Sequence, residues 1–184
     1  MIQRILDILI IFFLSPLIFL ILLVVFLLAL FFHKTDIFFV QARIGKGEKI
    51  FSLYKFRTMV HNAQNIGSGL YSYSDDTRIT KLGKVLRRSS LDELPQLFNV
   101  LKGDMSFVGP RPALYNQDDL MQFRVATGVS KLKPGITDWA QINGRDDISI
   151  EKKVQLDQEY NNKRSTLFDI KNIIKTITNV IYSK

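Results

Sequence analysis

The sequence predicts a mostly helical α+β protein with a small β element, held at a membrane. Three observations lead there. Residues 8–32 form an uncharged run of 25 residues, ILIIFFLSPLIFLILLVVFLLALFF. Two later segments, 81–88 and 170–181, carry apolar side chains at helical spacing, and only two short stretches, 36–40 and 49–59, read as strands.

The apolar run commits the protein to a bilayer. At about 1.5 Å per residue, a helix of this length covers roughly 37 Å, enough for a hydrocarbon core of about 30 Å. Ser15-Pro16 interrupts it. Proline has no N–H and its ring clashes with the carbonyl four residues back, so a kink or break is expected there. The arms on either side are about 12 Å and about 24 Å long, and neither crosses the core alone. Two topologies remain open from the residues themselves. One is a hairpin that enters and leaves by the same face, with the Ser15 hydroxyl taking up a freed carbonyl. The other is a single-span helix that tolerates its proline. Flanking charges (Arg4 before; His33, Lys34 and Asp36 after) are too balanced to fix orientation. A cleaved signal peptide does not fit, because the run is too long and no small-residue cleavage site follows. Residues 1–34 are therefore expected to form the anchor, and 35–184 one domain with a modest core.

Net charge is +8, and all but one residue of each sign lie after the apolar run. A basic domain beside a bilayer meets anionic headgroups, phosphorylated ligands or both. No basic-aromatic interleaving suggests nucleic acid. The absence of cysteine excludes disulfides, thiolate zinc sites and cysteine nucleophiles. Histidine occurs only at 33 and 61, which argues against a histidine metal cluster or a serine–histidine triad. Chemistry falls to carboxylates, basic groups and backbone amides.

In chain order, 36–40 reads as a strand, Gly45-Lys46-Gly47 as a turn, and 49–59 as a second strand carrying Lys55 and Arg57. Residues 61–77 form a polar loop, expected to be mobile. Leu82, Val85 and Leu86 give 81–88 an apolar side, with Lys81, Lys84 and Arg88 on a common stripe joined by Arg87. This is the pattern of an interfacial amphipathic helix with a basic edge. Ile170, Ile173, Ile174, Ile177 and Ile181 repeat among Lys171, Lys175 and Lys184. That second amphipathic helix packs its stripe on the core or lies on the headgroups.

Residues 89–112, SSLDELPQLFNVLKGDMSFVGPRP, concentrate the candidates for chemistry. Ser90 and Glu93 fit a capping box, which places Asp92 in a first helical turn. Acids there can serve the helix dipole alone. Three features favour a site instead. Asp92 and Glu93 are adjacent carboxylates amid positive charge; the Gly/Pro-rich GDMSFVGPRP can bring backbone and Arg111 to a ligand; and the basic helix lies beside them.

This segment, with YKFRTM before it and KPGITDWAQINGR after it, closely resembles the bacterial sugar transferase family of monotopic phosphoglycosyl transferases. The resemblance runs from Ser15-Pro16 to roughly Tyr160, and it implies a minimal form without the added N-terminal segments of larger members. Members move a sugar-1-phosphate from a UDP-sugar to undecaprenyl phosphate and release UMP. They act through a covalent aspartyl phospho-sugar and so initiate capsule, O-antigen, exopolysaccharide or glycoprotein glycan assembly. The resemblance assigns the nucleophile to Asp92 and a magnesium (or manganese) ligand to Glu93. Arg111 and Arg145 would grip phosphate, while Lys55, Arg57, Arg87 and Arg88 would divide between pocket and headgroups. Asp157 matches a family carboxylate, catalytic or paired with an arginine. Trp139, Gln141 and Asn143 offer stacking and amide hydrogen bonds. Relatives commonly carry glycine where this chain has Asp138, so a left-handed turn is expected there. The family also favours the re-entrant hairpin, with the catalytic domain on the cytosolic face of the inner membrane. Two rival readings are a membrane phosphatase or nucleotidase using Asp92, and a non-enzymatic basic tether. No local motif specifies the sugar.

Overall fold

The computed structural model describes residues 2–33, 36–61, 63, 76–144 and 148–182. Most of the 61–77 loop, together with Arg145, Lys184 and the side chain of Ile181, lies outside them.

Helix α1 (Ile2–His33) runs without interruption through Pro16, where the sequence suggested a break. The Ser15 hydroxyl donates to the Phe12 carbonyl at 2.8 Å. That carbonyl is the one left without its amide partner by Pro16, so the hydroxyl fills the vacancy. Among the described residues this is the one helix long and apolar enough to cross a membrane.

Both ends of α1 are seated on the rest of the protein. Near its start, the Gln3 amide donates to the Val108 carbonyl at 3.0 Å and to Asp169 at 3.3 Å. Asp7 accepts from the Ser106 hydroxyl at 2.9 Å and from the Phe107 N–H at 3.1 Å, and Ile11 packs against Leu53, Val100 and Met105. Beyond the proline, Ile21, Leu22, Val25 and Ala29 pack with Phe56, Leu82 and Leu86. Between these two footings Phe12, Phe13, Leu14, Leu17, Phe19 and Leu20 are exposed.

Strand β1 (Phe38–Ile44) and strand β2 (Ile50–Phe56) form a hairpin, with Ile44 opposite Ile50. β1 is longer than expected and β2 shorter, because pairing extends up to a turn in which Gly47 and Glu48 adopt positive φ. Strand β3 (Ser106–Val108) begins a second, two-stranded sheet, and β4 (Ala113–Leu114) adds to the other edge of β1. β5 (Gly135–Thr137) pairs with β3 in parallel.

Helix α2 (Lys81–Arg88) matches its sequence bounds, and the Thr80 hydroxyl caps it by accepting from the Gly83 N–H at 2.9 Å. Leu82 and Leu86 are buried, whereas Val85, expected on the same side, is 61% exposed beside the exposed Lys81, Lys84 and Arg88. Helix α3 (Gln96–Lys102) is fastened to β2 by the fully buried Asn99. Its amide donates to the Ser52 carbonyl at 2.7 Å and its oxygen accepts from the Tyr54 N–H at 3.2 Å. Helices α4 (Asp118–Ala126), α5 (Trp139–Gly144) and α6 (Ile150–Lys163) follow.

Helix α7 (Thr166–Tyr182) is oriented opposite to the core-packed alternative. Leu167, Ile170, Ile174 and Ile177 face outward. The inward face is polar: Asp169 accepts from the Tyr160 hydroxyl at 2.8 Å, the Thr176 hydroxyl meets that of Thr137, and Asn172 is buried. The bonds of Asp169 and Thr176, together with the Phe168 ring against Trp139 and Tyr160, rather than the isoleucines, seat the helix.

Candidate active site

Asp92 lies on a single 3-10 turn, Leu91–Glu93, between α2 and α3. The expected capping box does not form. Ser90 sits in the left-handed region at φ 56 and its side chain makes no cap bond. The helix is interrupted before Pro95, and Glu93 turns away to β2. Leu91 and Leu94 pack into the cluster around Phe56, Leu82 and Leu86. Their burial carries the intervening Asp92 inward, to 8% exposure. A non-glycine residue with positive φ is a local cost maintained by such surroundings.

Burial raises the Asp92 carboxyl to about 6; the charge of Glu93 adds to the rise, while Lys55 and Arg87 oppose it. Glu93 moves the other way. Burial works against its charge, but Lys55 and Arg111, with hydrogen bonds from Lys55 and Gln96, hold it below the usual carboxylate range. The Lys55 Nζ stands 2.6 Å from Glu93 Oε1 and Arg111 Nη2 stands 4.0 Å from the same oxygen. Arg87 donates to the Thr58 hydroxyl at 2.9 Å. Two neighbouring carboxylates are thus shifted in opposite directions, inside a shell of three cations drawn from β2, α2 and the GPRP segment.

Arg111 is placed by backbone. The Gly109 N–H donates to Thr137 at 3.1 Å, and the Gly135 N–H to Pro110 at 3.0 Å. The two glycines touch so closely that a Cβ on Gly135 would lie 2.2 Å from the Gly109 nitrogen. The Arg111 carbonyl accepts from Arg124 at 2.8 Å. Arg124 in turn forks onto Asp157 at 3.0 and 2.7 Å, with both side chains buried. Burial lifts Asp157 to about 6; Arg124 pulls it down and Asp138 pushes it up. Asp157 is thereby paired with an arginine. Arg124 escaped the sequence reading, its one signal being that a buried aspartate needs a cation.

Several candidates are not drawn into this group. Arg57 is bonded to the Asp36 carbonyl at 2.8 Å, and Arg88 is on the exposed edge of α2. Asn143 donates back to the Trp139 carbonyl at 2.7 Å. Gln141 gives its backbone N–H to Asp138 at 2.6 Å. Asp138 is not left-handed, because it caps α5 through that bond, a role open to aspartate and closed to glycine.

Among the described residues no three histidines or acids gather as a metal centre. A magnesium ion is commonly held by only one or two carboxylates and completed by substrate phosphates. Glu93 with Asp92 beside it fits that donor set, with Lys55 as the competing cation.

A profile of the bacterial sugar transferase family matches residues 1–183. The chain belongs to this family. Over 150 residues it is 47% identical to an uncharacterized sugar transferase, EpsL, of Bacillus subtilis, covering 82% of this chain and 72% of that protein. It is 42% identical over 154 residues to a galactosyl transferase, CpsE, of Streptococcus agalactiae (78% of this chain, 34% of the relative). It is 39% identical over 165 residues to an undecaprenyl-phosphate glucose phosphotransferase of Komagataeibacter xylinus (82% and 30%). The chain thus spans about a third of the length of the larger of these family members.

Proposed function

We propose that the protein transfers a sugar-1-phosphate from a UDP-sugar to undecaprenyl phosphate, with Asp92 as the nucleophile. The observation that carries this is the buried Asp92 carboxyl beside the half-buried Glu93, inside the shell of Lys55, Arg87 and Arg111. The names of relatives such as the Komagataeibacter phosphotransferase support the acceptor.

The Asp92 carboxylate attacks the sugar-bearing phosphorus. An O–P bond forms, the bond to the UMP oxygen breaks, and UMP leaves with the electron pair. An oxygen of the lipid phosphate then attacks the same phosphorus and frees Asp92, leaving a lipid diphosphate sugar. A carboxylate needs no proton removed and attacks phosphorus well once the phosphate charge is offset. Lys55, Arg87 and Arg111 supply that offset. Glu93 would hold a magnesium ion, whose chemistry is to neutralise the bridging phosphates.

Incubation with a UDP-sugar panel and undecaprenyl phosphate is expected to release UMP in a lipid-dependent manner. EDTA should abolish turnover, magnesium or manganese should restore it, and full activity in EDTA would exclude the metal. Free sugar phosphate formed without lipid would instead identify a hydrolase.

The same proposal includes a re-entrant topology on the cytosolic face, where UDP-sugars are available. It is supported by Gln3 and Asp7 in the first turns of α1 bonding to the body that Val25 and Ala29 also grip. Single cysteines at Ile2 and Tyr182, exposed by 69% and 80%, have no native thiols to compete with. Neither should react with an impermeant maleimide on intact cells until permeabilisation. Labelling of position 2 alone would place the N-terminus outside and refute the re-entrant topology.

A further inference from the structure

A second concentration of positive charge lies outside the Asp92 group. Gln3, Arg4, Asp7, Lys46, Lys131, Lys133 and Arg164 line a cavity of about 230 Å³. Five of these seven are cations, contributed by α1, the β1–β2 turn, the segment before β5 and the α6–α7 junction. Lys55, Arg87, Asp92, Glu93 and Arg111 do not line it. The geometry points to a phosphate-group site at the headgroup level of the membrane, distinct from the one around Asp92.

The cations converge rather than merely share a surface. Gly103, at φ 91 behind α3, leaves room for two of them. A Cβ there would stand 3.5 Å from Lys133 Nζ and 3.9 Å from Arg4 Cζ. Arg4 is anchored on the Val100 and Leu101 carbonyls and Arg164 on the Gln3 oxygen. Two guanidinium groups are therefore fixed in place before any ligand arrives. Asp7, the one acid in the lining, is already bonded to Ser106 and Phe107. Asp104 nearby pairs with Lys102 at 3.1 Å. Burial and the charges of Arg4 and Lys46 hold Lys133 below the usual lysine range, against the pull of Asp7 and Asp104. The positive charge thus exceeds the acids available to balance it.

Size and position narrow the ligand. Pockets for drug-sized molecules run to roughly 300–1,000 Å³, so this cavity suits a phosphate group rather than a whole nucleotide. Its lining includes Arg4 and Asp7, in the charged first turns of α1 that precede the apolar run. Basic pockets at that depth take anionic headgroups. A phospholipid headgroup and free phosphate share this chemistry, and they can be separated by experiment.

The test uses the full chain in detergent with two probes. In one arm, native mass spectrometry counts phosphatidylglycerol retained against phosphatidylcholine. In the other, inorganic phosphate is titrated by thermal shift. Lys131→Gln with Lys133→Gln is compared with Lys152→Gln with Lys163→Gln, an equal charge loss at exposed positions of α6. At roughly fivefold per lysine, the first pair should weaken binding about 30-fold, while the control pair stays near the parent. Loss in the lipid arm identifies a headgroup site, and loss in the phosphate arm alone identifies a free-anion site. Equal behaviour of the two pairs in both arms would overturn the proposal. Should the first pair fail to fold, Lys46→Gln on its exposed turn decides, with about fivefold weakening expected and no change refuting the site.

Discussion

Asp92→Asn should lose turnover by on the order of 10⁴–10⁶-fold, as expected for removal of a covalent nucleophile, while making the protein harder to unfold. The carboxyl is raised to about 6 chiefly by burial. Its charged form is thus disfavoured in the folded state, and asparagine resembles the neutral form in shape. The sign follows from proton binding. A folded pKa above the unfolded one means that stability falls as pH rises through the window from about 4 to 6. Above it the penalty is fully present, about 3 kcal/mol. Thermal unfolding in detergent should therefore show Asp92→Asn stabilised at pH 8 and nearly matched to the parent at pH 4. A less stable variant at pH 8 would mean that the carboxylate is held by favourable contacts rather than poised by burial. The parent's single-turnover rate should fall as pH drops through about 6, because the protonated acid is no nucleophile.

Breaking the pair behind Arg111 should have the next largest effect. Arg124 and Asp157 are both buried and bonded at 2.7 Å, so Asp157→Leu leaves a buried guanidinium without its acid. A cost of about 3–5 kcal/mol is expected. Arg124→Met combined with Asp157→Leu removes both charges and should recover most of that stability. Activity separates positioning from packing. In the double variant the Arg111 carbonyl loses its 2.8 Å donor, and kcat should remain down by about 100-fold, the effect of a 1 Å misplacement. Recovery of kcat together with stability would show that Arg124 serves the fold alone.

What the sequence discloses follows the range of the forces involved. The bounds of helix α2 are legible because its apolar pair, Leu82 and Leu86, lies at local helical spacing, whereas the Thr80 cap and the outward Val85 are not. The Ser15 hydroxyl was legible for the same reason, since its bond to Phe12 closes within one turn. The capping box at Ser90 failed because Leu91 and Leu94 are pulled into a core built from α1, α2 and β2, and the backbone follows them. Helix α7 was ambiguous because isoleucines at helical spacing look alike whether they face a core or a bilayer. The deciding contacts, Asp169 with Tyr160 and Thr176 with Thr137, join residues from different elements. Asp92, Glu93, Lys55, Arg87 and Arg111 were all named from motifs. Their separation into a raised and a lowered carboxyl depends on burial that no motif records. Arg124, which places Arg111, sits in a helix without apolar periodicity and left no mark beyond the need of Asp157 for a partner.

The most direct measurement is the intact mass of the protein after incubation with magnesium and its UDP-sugar in the absence of lipid, with the nucleotide product identified in the same sample. The expected result is a gain equal to one phospho-sugar, mapped to the peptide carrying Asp92, with UMP released in equal amount and the adduct discharged on adding undecaprenyl phosphate. Release of UDP with no adduct would contradict covalent phosphoryl transfer and would indicate ordinary glycosyl transfer at this site.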